Sequence, residues 1–191
     1  MLLPSLSKAK SKAASAACLN NLKQLELAST LYQGDNGGWF PAQGEVEVSS
    51  RLAGVQNSWV LGNPKTDRSD ENIRRGTLFQ YMGGAVKAYR CPSDQSKVVG
   101  TNLVRFRSYS LSFQIGIFDP SGGVVDPSFG GVGPRGKSYI FKDTEALRPA
   151  KMYSFVDVSE GTADGRSFAT GYAKEWPKGP GAWWNQPTDR H

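Results

Sequence analysis

The sequence predicts an α+β domain in which one long amino-terminal helix packs on an antiparallel sheet with long Gly- and Pro-rich loops. An apolar stripe with helical spacing runs from Ala14 to Tyr32, and apolar and polar residues alternate from Tyr109 to Ile115. The chain also contains 22 Gly and 11 Pro. Since 191 residues are the size of one folded unit, we expect a helix over residues 1–33 and a head over residues 34–191 that folds with it.

The helix is predicted from Ser5 to about Gln33, with Pro4 near its start and Gly34 at its end. Its stripe recurs at steps of three and four residues, and consists of Ala14, Cys18, Leu22, Leu25, Ala28, Ser29 and Tyr32. Another face carries Lys8, Lys12, Lys23 and Glu26. We therefore expect the stripe to be buried against the head, and residues 7–17 to project or to pack against small neighbours.

The head opens with the aromatic pair Trp39 and Phe40, which we expect to anchor a loop. "SWVLGN" (58–63) predicts a short strand and "GTLFQYMGG" (76–84) a short helix that ends on its glycines. Alternation around "RSYSLSFQIG" predicts a strand with Tyr109, Leu111, Phe113 and Ile115 inside and Ser110, Ser112 and Gln114 outside. "KSYIFKD" (137–143) and "KMYSFVDV" (151–158) predict two further strands.

Composition narrows the classes of function. A net charge of +6 is compatible with nucleic acid, lipid headgroups or acidic polysaccharide, but the basic residues are scattered, which favours ordinary solvated surface. Five Trp, seven Tyr and nine Phe argue against disorder. No apolar run has the length of a membrane span, although "MLLPSL" looks like the end of a longer apolar segment.

Catalytic motifs are weak. "GVGPRG" (131–136) fits the glycine spacing of a dinucleotide loop, but a strand follows it where a helix is needed, so a plain loop is favoured. The chain has one histidine, His191, which argues against histidine-based zinc or triad chemistry. No nucleophile has an evident neighbouring base, so we do not expect an enzyme.

Two groups of residues are candidates for ligand binding. Asp157, Glu160 and Asp164 supply clustered carboxylates for a calcium ion, with a solvated acidic loop as the alternative; no other cofactor is expected. Trp176, Trp183 and Trp184 could form a platform on which sugars or single-stranded nucleic acid stack, with an ordinary core as the alternative.

Several short segments share a pattern with a known family. Leu2, Leu3 and Pro4 precede Lys- and Ala-rich turns and a Cys-x-x-Asn-Leu-Lys-Gln element that starts at Cys18. "YRCPSD" (89–94), "RSYSLS" (107–112) and "SFVDVSEGTADGRSF" (154–168) follow, and His191 stands where a carboxy-terminal His to Asp-Gly element would begin. In these features the chain resembles type IV pilin-like proteins and type II secretion pseudopilins, in particular the subgroup with a prepilin-type cleavage and methylation segment.

The resemblance implies a structural subunit of a type IV pilus-like or type II secretion pseudopilus filament. A family member would have about twenty more apolar residues before Met1, so we expect a chain truncated at both ends whose missing part anchors it in the inner membrane. The expected partners are other pilin-like subunits and the secretion or pilus machinery. The expected location is exported, first at the inner membrane and then in a periplasmic or cell-surface filament.

The resemblance also implies that Cys18 meets Cys91, because Cys18 lies on the buried stripe and export permits a disulfide. The alternative is two buried free thiols. A second hypothesis for the whole chain is a surface-exposed module that binds polysaccharide or DNA through its tryptophans and basic residues, with nucleic acid the less expected ligand.

Overall fold

The computed structural model describes residues 2–42, 58–112, 115, 142–146, 154–159, 167–168 and 188. The helices within these residues are α1 (Leu2–Asp35), α2 (Glu71–Arg74) and the 3₁₀ helices Thr77–Met82, Val86–Tyr89 and Asp143–Glu145. The strands are β1 (Tyr109–Ser112), β2 (Phe155–Asp157) and β3 (Ser167–Phe168). A long amino-terminal helix beside a small sheet agrees with the α+β prediction.

Helix α1 extends further than predicted at both ends. Pro4 lies in its first turn, where a missing backbone N–H breaks no hydrogen bond. Gly34 does not end the helix: α1 continues to Asp35, and Gly37 and Gly38 take the left-handed turn with φ of 61° and 82°. The prediction placed the end at Gly34 because glycine there resembles a cap, but the glycines beyond it make the turn.

The sheet has the order β2-β1-β3 and is mixed. Strand β1 pairs antiparallel with β2, with Tyr109 opposite Asp157, and parallel with β3, with Leu111 opposite Ser167. The expected antiparallel arrangement is therefore right for β2 and wrong for β3. All four β1 residues are buried, so the serines of this strand do not face solvent as predicted. In a strand whose two faces are both covered, alternation of apolar and polar residues ceases to report burial.

The segment "SWVLGN" is not a strand. Ser58 makes a single parallel bridge to Ala42, and the chain bends at the next residues. Trp59 is fully buried, stacked on Tyr89 at 6.1 Å between ring centroids and edge-on to Phe155 at 5.3 Å. The apolar run that suggested a strand is therefore a buried turn. The helical prediction for "GTLFQYMGG" is confirmed, as the 3₁₀ helix Thr77–Met82 followed by a left-handed Gly83.

The core lies between α1 and the head. Leu25, Ala28 and Tyr32 of α1 are buried, and the ring of Tyr32 meets that of Tyr81 edge-on at 6.0 Å. Helix α1 packs mainly on the 3₁₀ helices Thr77–Met82 and Val86–Tyr89 and reaches the sheet at its β2 end. There Ser154 donates a hydrogen bond to the carboxylate of Glu26.

Candidate functional site

The amino-terminal part of α1 is exposed on every side. Residues 4–13 are all exposed, and complete burial starts only at Cys18. At a rise of 1.5 Å per residue, these ten residues form a rod of about 15 Å that the head does not cover. The rod continues the hydrogen-bonded backbone of the buried part of α1, so its helical form does not depend on contacts of its own with the head.

The carboxy-terminal half of α1 packs on the head with one side. Apolar side chains remain exposed on another side of this half. Leu27 and Leu31 are 59% and 48% exposed and lie one turn apart, whereas Leu25 is fully buried against the head. At about 100° per residue, one 60° arc of the helix contains the apolar residues Leu6, Ala9, Ala13, Leu27 and Leu31. We call these five residues the Leu/Ala stripe.

The Leu/Ala stripe consists of residue types that are common where two helices pack together. Leucine fills the space between neighbouring helices, and alanine lets two helices approach closely. Asn20 and Gln24 lie in the same arc and interrupt the stripe in its middle, but neither side chain carries a charge. The arrangement can therefore hold a second helix along much of α1.

A second feature is a buried group of two thiols and a carboxylate. Cys18 lies on α1, Cys91 follows the 3₁₀ helix Val86–Tyr89, and Asp157 ends β2. One ligand atom from each, the two Sγ atoms and a carboxylate oxygen, lie within 4.8 Å of one another. Both residues are buried, and their sulfurs are in the thiol form in this structure. We call these three residues the thiol site.

Neighbouring polar groups fix the thiol site. The Tyr109 hydroxyl donates a hydrogen bond to Cys18 Sγ at 3.3 Å. Asn21 Nδ2 donates to the Arg90 carbonyl at 3.0 Å, and so joins α1 to the backbone next to Cys91. The Cys91 backbone N–H donates to Ser108 Oγ at 2.7 Å. The helix, the segment around Cys91 and strand β1 are therefore joined by hydrogen bonds at this point.

The environment disfavours the charged form of the Cys91 thiol. Burial raises its pKa to about 12, with further contributions from the charge of Asp157 and from Cys18. Burial also raises the pKa of the Tyr109 phenol, which stays protonated and able to donate its hydrogen bond. Cys91 is consequently a poor nucleophile at neutral pH.

A buried ion pair supports the segment that follows Cys91. Arg105 Nε lies 2.5 Å from Asp94 Oδ2, and both side chains are almost completely buried. Arg105 also donates to the Val158 carbonyl at 3.1 Å, next to Asp157. The other Asp94 oxygen accepts hydrogen bonds from the N–H and hydroxyl of Ser96. These contacts connect the Cys91 segment to the end of β2.

Of the residues singled out in the sequence, the structure brings Cys18 and Cys91 together and adds Asp157. Glu160, Asp164 and the three tryptophans Trp176, Trp183 and Trp184 lie outside the described residues, so the calcium and stacking hypotheses stay predictions. The sulfur neighbours of Asp157 are not ligands that calcium prefers.

Sequence reasoning missed the pairing of Asp94 with Arg105 and the role of Tyr109. The spacing Asp94-x-Ser96 is typical of a local side-chain turn and could have indicated a structural role for Asp94. Its partner Arg105 is 11 residues away, and no local pattern predicts such a contact.

Comparison with known proteins gives no match: no family model, no curated protein and no solved structure is similar to this chain. Within the part of the chain that the structure describes, no helix has the length and apolar character needed to cross a membrane.

Proposed function

We propose that this chain is the head and part of the helix of a pilin-like filament subunit, whose function is assembly rather than catalysis. In the filament, α1 of each copy packs on the α1 helices of neighbouring copies, and the heads form the outer surface. The filament belongs to a type IV pilus-like or type II secretion pseudopilus system, and the subunit is exported and anchored in the inner membrane before it assembles.

The observation that supports this proposal is the uneven coverage of α1. The 34-residue helix is about 51 Å long, and the head buries one side of only its carboxy-terminal half. A helix that served only its own head would not need ten exposed residues and a Leu/Ala stripe turned away from the core. Partner helices that bury this stripe would stabilise by about 25 cal/mol per Å² of apolar surface covered.

The test is filament assembly in cells that carry the complete gene. Cells are sheared, filaments are pelleted, and the subunit in the pellet is quantified by immunoblotting and viewed by negative-stain electron microscopy. The proposal predicts that the protein pellets as filaments. It also predicts that the double variant Leu27→Gln and Leu31→Gln stays out of the pellet, because two apolar contacts between helices are lost.

The control is Leu103→Gln, which changes an exposed leucine of the head that lies outside α1. Equal thermal stability of the three proteins, measured on purified chains, separates loss of assembly from loss of folding. Absence of the unmodified protein from the pellet contradicts the proposal, as does normal assembly of the double variant. Salt-sensitive binding of the purified chain to an anionic polysaccharide or to DNA, without filaments, supports the binding-module hypothesis instead.

A further inference from the structure

The thiol site lies where α1 leaves the head. Cys18 is the first completely buried residue of the helix, and the exposed rod ends about a turn before it. Cys91 and Asp157 belong to two separate parts of the head, and Arg105 joins those parts by contacting both Asp94 and the Val158 carbonyl. A covalent link at this point would fix the base of the projecting helix to a part of the head that these hydrogen bonds join.

Two chemistries suit a pair of thiols beside a carboxylate, namely a metal ion and a disulfide. Structural zinc sites hold four ligands, and the group found among the described residues brings three. A disulfide needs only the two sulfurs, which are within 4.8 Å, so a shift of at most about 3 Å forms the bond. The geometry favours the disulfide.

We infer that Cys18 and Cys91 form a structural disulfide that fixes α1 to the head, and that the Asp157 carboxylate protects this bond from reduction. The two thiols exchange with a disulfide R–S–S–R from a small molecule or an oxidoreductase. The new S–S bond forms, the R–S–S–R bond breaks, and the two electrons and two protons of the thiols leave as two R–SH molecules. This inference does not depend on the filament proposal.

The protective role of Asp157 follows from its charge. Reduction must release one of the two sulfurs as a thiolate, and a thiol with a high pKa leaves slowly. A carboxylate next to Cys91 in a buried site destabilises that thiolate, because two negative charges repel each other strongly away from water. Burial also keeps an attacking thiol from reaching either sulfur until α1 separates from the head.

The bond is tested on the unmodified chain, equilibrated at pH 7 in a mixture of oxidised and reduced glutathione and freed of added metal. Alkylation under denaturing conditions and intact mass measurement are expected to show no modified cysteine and a mass two hydrogens below that of the thiol form. Native mass spectrometry after addition of zinc distinguishes the metal alternative. Free thiols at equilibrium in the oxidising mixture, or retention of one zinc ion by the chain, overturn the inference.

The role of Asp157 is tested by the rate at which dithiothreitol reduces the bond. Reduction of the folded chain is expected to be slower than that of the urea-unfolded chain by about tenfold or more. Asp157→Asn is expected to reduce several-fold faster than the unmodified chain, whereas Asp157→Glu, which keeps the charge, is expected to stay close to it. Near-ultraviolet circular dichroism verifies that each variant is folded.

Asp70→Asn is the matched control, because Asp70 is a solvent-accessible carboxylate far from either sulfur in sequence. It should leave the reduction rate unchanged. An Asp157→Asn variant that is folded and reduces no faster than the unmodified chain removes the protective role. If Asp157→Asn does not fold, Asp157→Glu and a folded Asp157→Ser variant replace it. Slow reduction of Asp157→Glu together with fast reduction of Asp157→Ser supports the protective role, and equal reduction rates of the two variants remove it.

Discussion

Two leucines of α1, two residues apart, should respond differently to the same substitution. Leu25 is fully buried against the head, whereas Leu27 is 59% exposed on the Leu/Ala stripe. Leu→Ala removes three carbons, worth about 2.4 kcal/mol in transfer free energy at roughly 0.8 kcal/mol each. The cavity left at Leu25 adds to this, so the free energy of unfolding should fall by about 3–5 kcal/mol in Leu25→Ala.

Leu27→Ala creates no cavity and should change the free energy of unfolding by about 0.5 kcal/mol or less. For a chain of this length, the loss in Leu25→Ala corresponds to a decrease in Tm of about 6–20 °C. Urea titration and calorimetry of the purified chains measure both quantities. Equal losses in the two variants would refute the packing of α1 on the head, and so would a larger loss in Leu27→Ala.

Three further predictions concern the head and the thiol site. Arg105→Ala should lower the free energy of unfolding by about 3–5 kcal/mol in urea titrations, because it leaves the Asp94 carboxylate buried without its cation. Arg74→Ala, which breaks a solvent-accessible pair with Asp70, should change the free energy of unfolding little. Equal effects of the two substitutions contradict the prediction. Gly62→Ala should lower Tm more than Gly83→Ala. Both residues have positive φ, but a Cβ at Gly62 would clash with Asn72 Nδ2, whereas a Cβ at Gly83 would meet open space. A similar decrease of Tm in both variants counts against the described turn at Gly62. In the reduced chain the pKa of the Cys91 thiol is raised from 9.0 to about 12, so the unfolded state loses this proton first as pH rises. The stability that the neutral thiol contributes is fully present below pH 9 and should be lost as pH rises from 9 to 12. The free energy of unfolding of Cys91→Ala, measured against pH, should lack this loss, and an identical pH dependence in the two proteins refutes the prediction.

The parts of the fold that sequence could predict are those with a local cause. The stripe through Leu25 and Tyr32 recurs with the period of a helix, and it correctly identified the buried side of α1. The strand predicted at "KMYSFVDV" likewise contains β2. In the helix one side of a regular element is buried, and the sequence shows this directly.

The misses have long-range causes. Ser110 and Ser112 are buried with the rest of β1, and the residues that cover their face of the strand cannot be inferred from the serines themselves. Trp59 looked like part of a strand because its neighbours are apolar, whereas its burial comes from stacking on Tyr89, 30 residues later. Asp157 was predicted at the end of a strand and as a candidate calcium ligand, and only the pairing of β2 with β1 brings it to the two thiols.

The central claim is that α1 belongs to a filament, and the coding sequence upstream of the Met1 codon tests it most directly. If α1 belongs to a filament, a continuous reading frame is expected that encodes a prepilin-type cleavage segment and an apolar run of about twenty residues leading into Met1. An in-frame stop codon shortly before Met1, with a ribosome-binding site between the two, would contradict the filament account.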